Sequence, residues 1–176
     1  KQNGAKDYSY EKCGEDFIDS RDGKKYKTVC IGSQVWMAEN LNYEPAGGLC
    51  YDELAENCGI YGRMYTWNEV MNGSAASNSN PSGVRGICPT GWHVPSAAEW
   101  EQLFTFLGGS SVAGGKLKST SNLWGSPNAG ATNSSGFNAL PGGSMGGQGP
   151  GFPIYPAGKG EYTVFRTTSA TSANNS

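Results

Sequence analysis

Apolar residues recur along this chain with two periods, and the helical one is clearest between residues 96 and 107. There Trp100, Leu103, Phe104 and Leu107 stand at i, i+3, i+4 and i+7, one face of a helix. Ser96 and Glu99 are spaced as a capping box, the hydroxyl accepting from an early helix N–H and the carboxylate reaching back. Pro95 disfavours helix upstream, and Gly108-Gly109 suits the C-terminal end. The preceding GWHVP run reads as extended, with His93 alternating between Trp92 and Val94. A second helix is expected over 61–71, where Tyr61, Met64, Tyr65 and Asn68 share one face and Glu69 falls on the solvent side.

The remaining elements read as short strands. Residues 16–31 suggest two strands joined at Asp22-Gly23, a type I′ hairpin dipeptide. "SQVWMAENL" follows as a strand and turn carrying Trp36 and Met37 inward. "GFNALPGG" predicts a short strand burying Phe137 and Leu140, and "EYTVFRTT" predicts the last strand. Residues 72–83 are turn formers without a period, a surface loop. "GSMGGQGPGFPIYPAGKG" is too rich in Gly and Pro to promise a regular element. The expectation is one α+β domain over 1–176 with two helices, short twisted antiparallel sheets and long loops.

Composition narrows the function classes. The chain has 176 residues, 27 of them glycine, and only 16% are charged. Such a balance favours loop-rich structure over a helical bundle. The formal net charge of −2 and the lack of a basic run remove the electrostatic footprint of a nucleic-acid binder. No apolar stretch approaches the ~18 residues that read as a membrane span. "KQNGAKDYSYEKC" has no apolar signal-peptide core, and Lys1 is compatible with a mature, processed chain.

Five cysteines carry the compartment argument. None forms a CxxC pair, so zinc and thioredoxin-like readings lapse and no metal is expected. Cys13 and Cys30 bracket the hairpin, and Cys50 and Cys58 bracket a short loop. Both pairs read as disulfides, which place the chain outside the cytosol, at the cell surface or beyond. Cys88 is left unpaired.

Catalytic readings are weak. His93 is the chain's one histidine, so it has no second imidazole for a zinc site or relay. "GGSMGGQG" lacks the Lys-Ser/Thr of a phosphate-binding loop. Glu39, Asp52, Glu69 and Glu99 show no spacing that pairs two carboxylates for glycoside hydrolysis. No catalytic residue and no cofactor are expected. The better lead is a set of aromatic side chains in loop-like or edge segments, Tyr43, Tyr51, Phe152, Tyr155 and Tyr162, whose flat rings could stack on sugars.

"FIDSRDGKKYKTVCIGSQVWMAENLNY", "LCYDELAENCGIYGRMYTW", "VRGICPTGWHVPSAAEWEQLF" and "GFNALPGG" together resemble the Fibrobacter succinogenes major paralogous domain family of secreted and surface bacterial proteins. The resemblance covers about 16–143, leaving 1–15 as an N-terminal extension and 144–176 as a Gly/Pro-rich loop and last strand. It implies a C-type-lectin-like fold, shared with formylglycine-generating enzymes, whose "LPTEAEWE"-type segment is similar to "HVPSAAEWEQL". It carries over no catalytic set. The copper-binding cysteine pair of those enzymes and the calcium-sugar motifs of true C-type lectins are missing, with only "EPA" at 44–46 and "WNE" at 67–69 near them. In the family pattern a closing strand supplies a cysteine partner for Cys88. That strand is not seen here, which leaves three readings: a chain that continues past residue 176, a buried free thiol at Cys88, or an open sheet edge completed by a strand from a neighbouring molecule. The functional expectation is a secreted or cell-surface, non-catalytic domain for adhesion or ligand binding, with glycans as candidate ligands. The alternative is a structural subunit of an extracellular assembly that self-associates through the open edge.

Overall fold

A computed structural model describes residues 13–146 and 155–169, and of Gly146 and Tyr155 the backbone alone. The described residues form three two-stranded antiparallel sheets and four α-helices. β1 (Phe17–Ile18) pairs with β2 (Lys25–Tyr26), β3 (Thr28–Ile31) with β4 (Gln34–Met37), and β5 (Ser144–Gly146) with β6 (Tyr155–Ala157). The helices are α1 (Ala55–Tyr61), α2 (Trp67–Met71), α3 (Ala97–Phe106) and α4 (Ser110–Leu117), with 3₁₀ turns at Glu44–Ala46 and Tyr51–Glu53. The architecture is α+β, as the sequence implies, with twice the expected helices.

The expected single hairpin is two. Asp22-Gly23 is not a type I′ turn, because only Gly23 of that pair has a positive φ (74°). Asp19, fully buried, organises the turn instead. Its carbonyl accepts from Gly23 N at 2.8 Å and its carboxylate grips the Arg21 guanidinium at 2.6 Å. Arg21 then donates to Ile87 O at 2.7 Å, docking this hairpin on a distant loop. Burial pushes the Asp19 carboxyl up, but Arg21 outweighs it and holds the group below its ordinary value.

The helix expected over 61–71 is interrupted. α1 stops at Tyr61, and Met64 leaves helical geometry to pair with Leu49 in an antiparallel bridge. Gly62 permits the break: its φ is 73°, and a Cβ there would lie 2.6 Å from Asn40 Cβ. α2 restarts at a second capping box, Thr66 with Glu69. Glu69 is therefore not a solvent-side residue. Its carboxylate accepts from Thr66 N at 2.7 Å and Gly48 N at 3.0 Å, so it ties α2 to the loop before α1.

α3 forms as the pattern predicts, with both halves of the Ser96–Glu99 box in place and Trp100 and Leu103 buried. Gly108 and Gly109, at φ 97° and 102°, turn the chain directly into α4. α4 runs through Gly114-Gly115, where a Cβ on Gly115 would meet Gly130 O at 2.3 Å. The main core joins Ile31, Trp100, Leu103, Leu107, Ala113, Leu117, Phe137 and Ala139, with Trp36, Phe104 and Phe165 packed against it. Met37 is half-buried, outside that cluster.

Three further expectations change. The "GFNALPGG" segment makes isolated bridges, Lys118 with Ala139 and Gly143 with Thr163, and buries Phe137 and Ala139; Leu140 is only half-buried because alternation turns it the other way. The Gly/Pro-rich stretch does hold regular structure, since β5 and β6 pair across it. "EYTVFRTT" is not a strand but an extended run with a single bridge, Thr163 to Gly143. Residues 72–83 do form a loop, with Ser82 buried.

Both expected disulfides are present, Cys13–Cys30 and Cys50–Cys58, and Cys88 is free. The second ties the Tyr51–Glu53 turn to buried Cys58 of α1. Removing it as Cys50→Ser/Cys58→Ser should cost about 2–3 kcal/mol, the loop-closure value for so short a ring. The guanidinium unfolding midpoint reads this directly; an unchanged midpoint would mean the segment is held without the bond.

Candidate functional site

A cavity of ≈ 560 Å³ is assembled from β4 and its exit, the 80–95 loops, the start of α3, residues 137–140, and Phe165-Arg166. Its volume falls within the ~300–1,000 Å³ range of small-molecule sites. Trp36, Trp92, Trp100, Phe137 and Phe165 supply the aromatic wall. Trp36 and Trp100 lie 4.7 Å apart by ring centroid, and Trp100 packs on Phe165 at 5.3 Å and Phe137 at 5.8 Å. Trp92 is held from behind by Phe17 of β1 at 5.5 Å, edge to face. Rings so interlocked form a rigid surface.

The polar groups around this wall fall into two sets. One is committed to architecture. Glu99 accepts from Ser96 N at 2.9 Å and Ser82 N at 3.0 Å through Oε2, and lies 2.6 Å from His93 Nε2 through Oε1. Burial pushes its carboxyl up, yet the hydrogen bonds from His93, Ser96 and Ser82 win and hold it below its ordinary value. His93 thus braces the capping carboxylate. Gln34 donates to Glu99 O at 3.0 Å, and Gln102 is spent on Ser33 and Asn80.

The other set has capacity to spare. Among the described residues the side-chain amide of Asn138 has no hydrogen-bond partner, and its backbone sits in the left-handed region at φ 59°. Asn40 uses its amide N–H on Tyr61 O at 2.8 Å, leaving its oxygen. Arg166 donates from Nε to Tyr65 O at 3.3 Å, its one hydrogen bond among the described residues. The indole N–H groups of Trp36 and Trp100 and the Gln34 amide oxygen are buried without partners.

Cys88 borders this cavity. Burial pushes its thiol up to about 12, so it stays protonated at neutral pH. Among the described residues, no three His, Cys, Asp or Glu side chains cluster as a metal site. The arrangement can do what aromatic faces and uncommitted amides do together, which is hold a ligand that has one apolar face and a polar rim.

Sequence reasoning points to other aromatics. Tyr43 lies under the Arg21 guanidinium, 3.8 Å from its ring centre, and exchanges hydrogen bonds with the Tyr65 hydroxyl. Tyr51 carries the Lys159 ammonium at 4.7 Å and accepts from Lys159 N at 3.2 Å. Tyr162, 41% exposed, covers Gly158, where a Cβ would come within 2.2 Å of its ring. Tyr51 and Tyr162 therefore meet around residues 158–159. None of these three lines the cavity. Phe152 and the Tyr155 side chain lie outside the described residues. The cavity wall itself is missed from sequence, because Trp36, Trp100 and Phe137 look there like plain core.

Among the described residues no helix is long and apolar enough to cross a membrane. Residues 29–176 match the family model described as the Fibrobacter succinogenes major domain, a span that takes in residues 144–176 beyond the motifs visible by eye. No curated protein and no solved structure matches the chain.

Proposed function

The chain belongs to the Fibrobacter succinogenes major domain family, and from that premise we propose that it is a secreted or cell-surface domain that binds glycans without chemically transforming them. The observation that carries this reading is the aromatic-walled cavity with uncommitted amides at its edge. Sugars present axial C–H faces to aromatic rings and hydroxyls to amide groups, so this pairing of surfaces suits them. Two disulfides support a location outside the cytosol. The capped α3, the small antiparallel sheets and the long loops support a C-type-lectin-like relationship. The committed state of Glu99 and the protonated Cys88 argue against hydrolysis or thiol chemistry at this site.

The test is titration of the purified protein with array-identified saccharides, followed through the indole N–H resonances. Shifts at Trp36, Trp92 and Trp100 are expected, and Asn138→Gly should weaken binding several-fold while preserving the left-handed backbone. Saccharides that bind while leaving those indoles unmoved would place recognition elsewhere. An array with no ligand would end the reading. Self-association through an open edge is the lesser alternative. Each sheet has only two strands, but the strands run two to four residues, short for templating a neighbour. Light scattering at high concentration decides it, with a monomer expected.

A further inference from the structure

Resting on that glycan-binding reading, we propose that the ligand is an acidic saccharide, with a carboxylate such as that of a hexuronate received by Arg166. The starting point is an unbalanced charge. Arg166 lines both the ≈ 560 Å³ cavity and a neighbouring one of ≈ 200 Å³. The two share Asn40, Leu41, Cys88, Pro95, Phe165 and Arg166, so they adjoin along a wall that includes Arg166. A guanidinium does not deprotonate, so a cation is fixed there at every physiological pH.

No carboxylate of the described residues pairs with it. The carboxylate beside the cavity that is buried, Glu99, is spent on Ser82, Ser96 and His93. Glu39, the other acid on the lining, is exposed and accepts from Lys27 N at 2.9 Å. With Nε engaged on Tyr65 O, the two terminal nitrogens remain as a parallel fork, the shape that receives a carboxylate through two hydrogen bonds.

The backbone that carries the fork is held on both sides. Phe165, immediately before it, packs in the aromatic core. Immediately after it, Thr167 O accepts from the Trp67 indole at 3.0 Å and Thr168 N donates to Pro95 O at 2.9 Å. A cation positioned this firmly loses little further freedom on pairing. General attraction cannot substitute for it, because the chain as a whole carries a net charge of −2. A ligand ring against the tryptophans, with its carboxylate on Arg166, satisfies the wall and the charge at once.

Calorimetric titration with glucuronate and galacturonate, beside glucose and galactose, tests the proposal. The acids should bind at least ~10-fold tighter than their neutral parents. Arg166→Gln should erase that advantage. Arg166→Lys, which keeps the charge but loses the fork, should restore only part. Thermal melts of both variants establish that the fold is retained. Acetate and sulfate alone serve as arms for bare anion binding, and an affinity for them equal to the uronates would overturn the saccharide component. Acids no tighter than their parents, or an advantage that survives Arg166→Gln, would overturn the inference while leaving glycan binding standing. If neither acids nor neutral sugars bind, both fall.

Discussion

Trp100→Ala is expected to cost about 3–5 kcal/mol, enough to bring a domain of this size close to unfolding. Trp100 is 9% exposed and is the hub where Trp36, Phe104, Phe137 and Phe165 meet. Truncation removes the apolar area of the largest side chain and leaves a void that cannot collapse, since four interlocked rings define its walls. Trp100→Phe should behave differently. The indole N–H is buried without a hydrogen-bond partner, and that lack is itself worth about 1–3 kcal/mol against the native state. Phenylalanine leaves a smaller void and relieves the orphan donor, so a net cost of only about 1–2 kcal/mol is expected. Denaturant midpoints for the pair check the argument. A Phe variant as damaged as the Ala variant would show that the indole, orphan donor included, is worth keeping whole.

Glu99→Ala should be comparably severe, at about 3–5 kcal/mol. Two buried backbone donors, Ser82 N and Ser96 N, converge on one carboxylate oxygen and would both be stranded. Glu99→Gln keeps an acceptor and should lose less than half as much. The pair also separates charge from hydrogen bonding through pH. Because the folded carboxyl sits below its ordinary value of 4.5, it binds protons more weakly in the folded than in the unfolded chain. Its stabilisation is complete above that ordinary value and disappears as the pH falls through the lowered folded one. Asp19, held down by Arg21, has the same sign. Stability of the native protein should therefore fall steeply below about pH 4.5. Glu99→Gln should flatten that limb, and equal acid slopes in both proteins would refute the assignment.

How far the sequence revealed this fold depends on whether a signal was local. The helix from Ser96 was legible because its cap, its apolar face and its glycine stop all lie within fourteen residues. Thr66 and Glu69 form the same kind of box, yet the spacing of Tyr61, Met64, Tyr65 and Asn68 argues for a longer helix. The bridge from Met64 to Leu49 and the crowding of Gly62 against Asn40 overrule it, and both are tertiary facts. α4 is hidden by Gly114-Gly115, which reads as a breaker and is instead a place where the 130 loop passes close. The disulfides are legible from spacing because each closes a short loop. The cavity is not, because its wall is drawn from segments as far apart as Trp36 and Phe165, and each ring alone resembles ordinary core. Arg166 in particular carries no sequence mark; its meaning lies in which carboxylates fail to reach it.

Residues 163–169 give the chain a timing constraint during synthesis. Thr163 bridges Gly143, Phe165 fills the aromatic core, Trp67 is satisfied by Thr167, and Thr168 joins Ser77 to Pro95. A nascent chain that has emerged only as far as α4 can form capped helices and short hairpins, but its tryptophans have no Phe165 to close on. Vectorial emergence thus cannot complete the core until residues 163–169 have been made. Contacts of such long sequence separation slow folding. Until that segment arrives, the exposed rings are the surface that a holdase or a translocation machinery would meet.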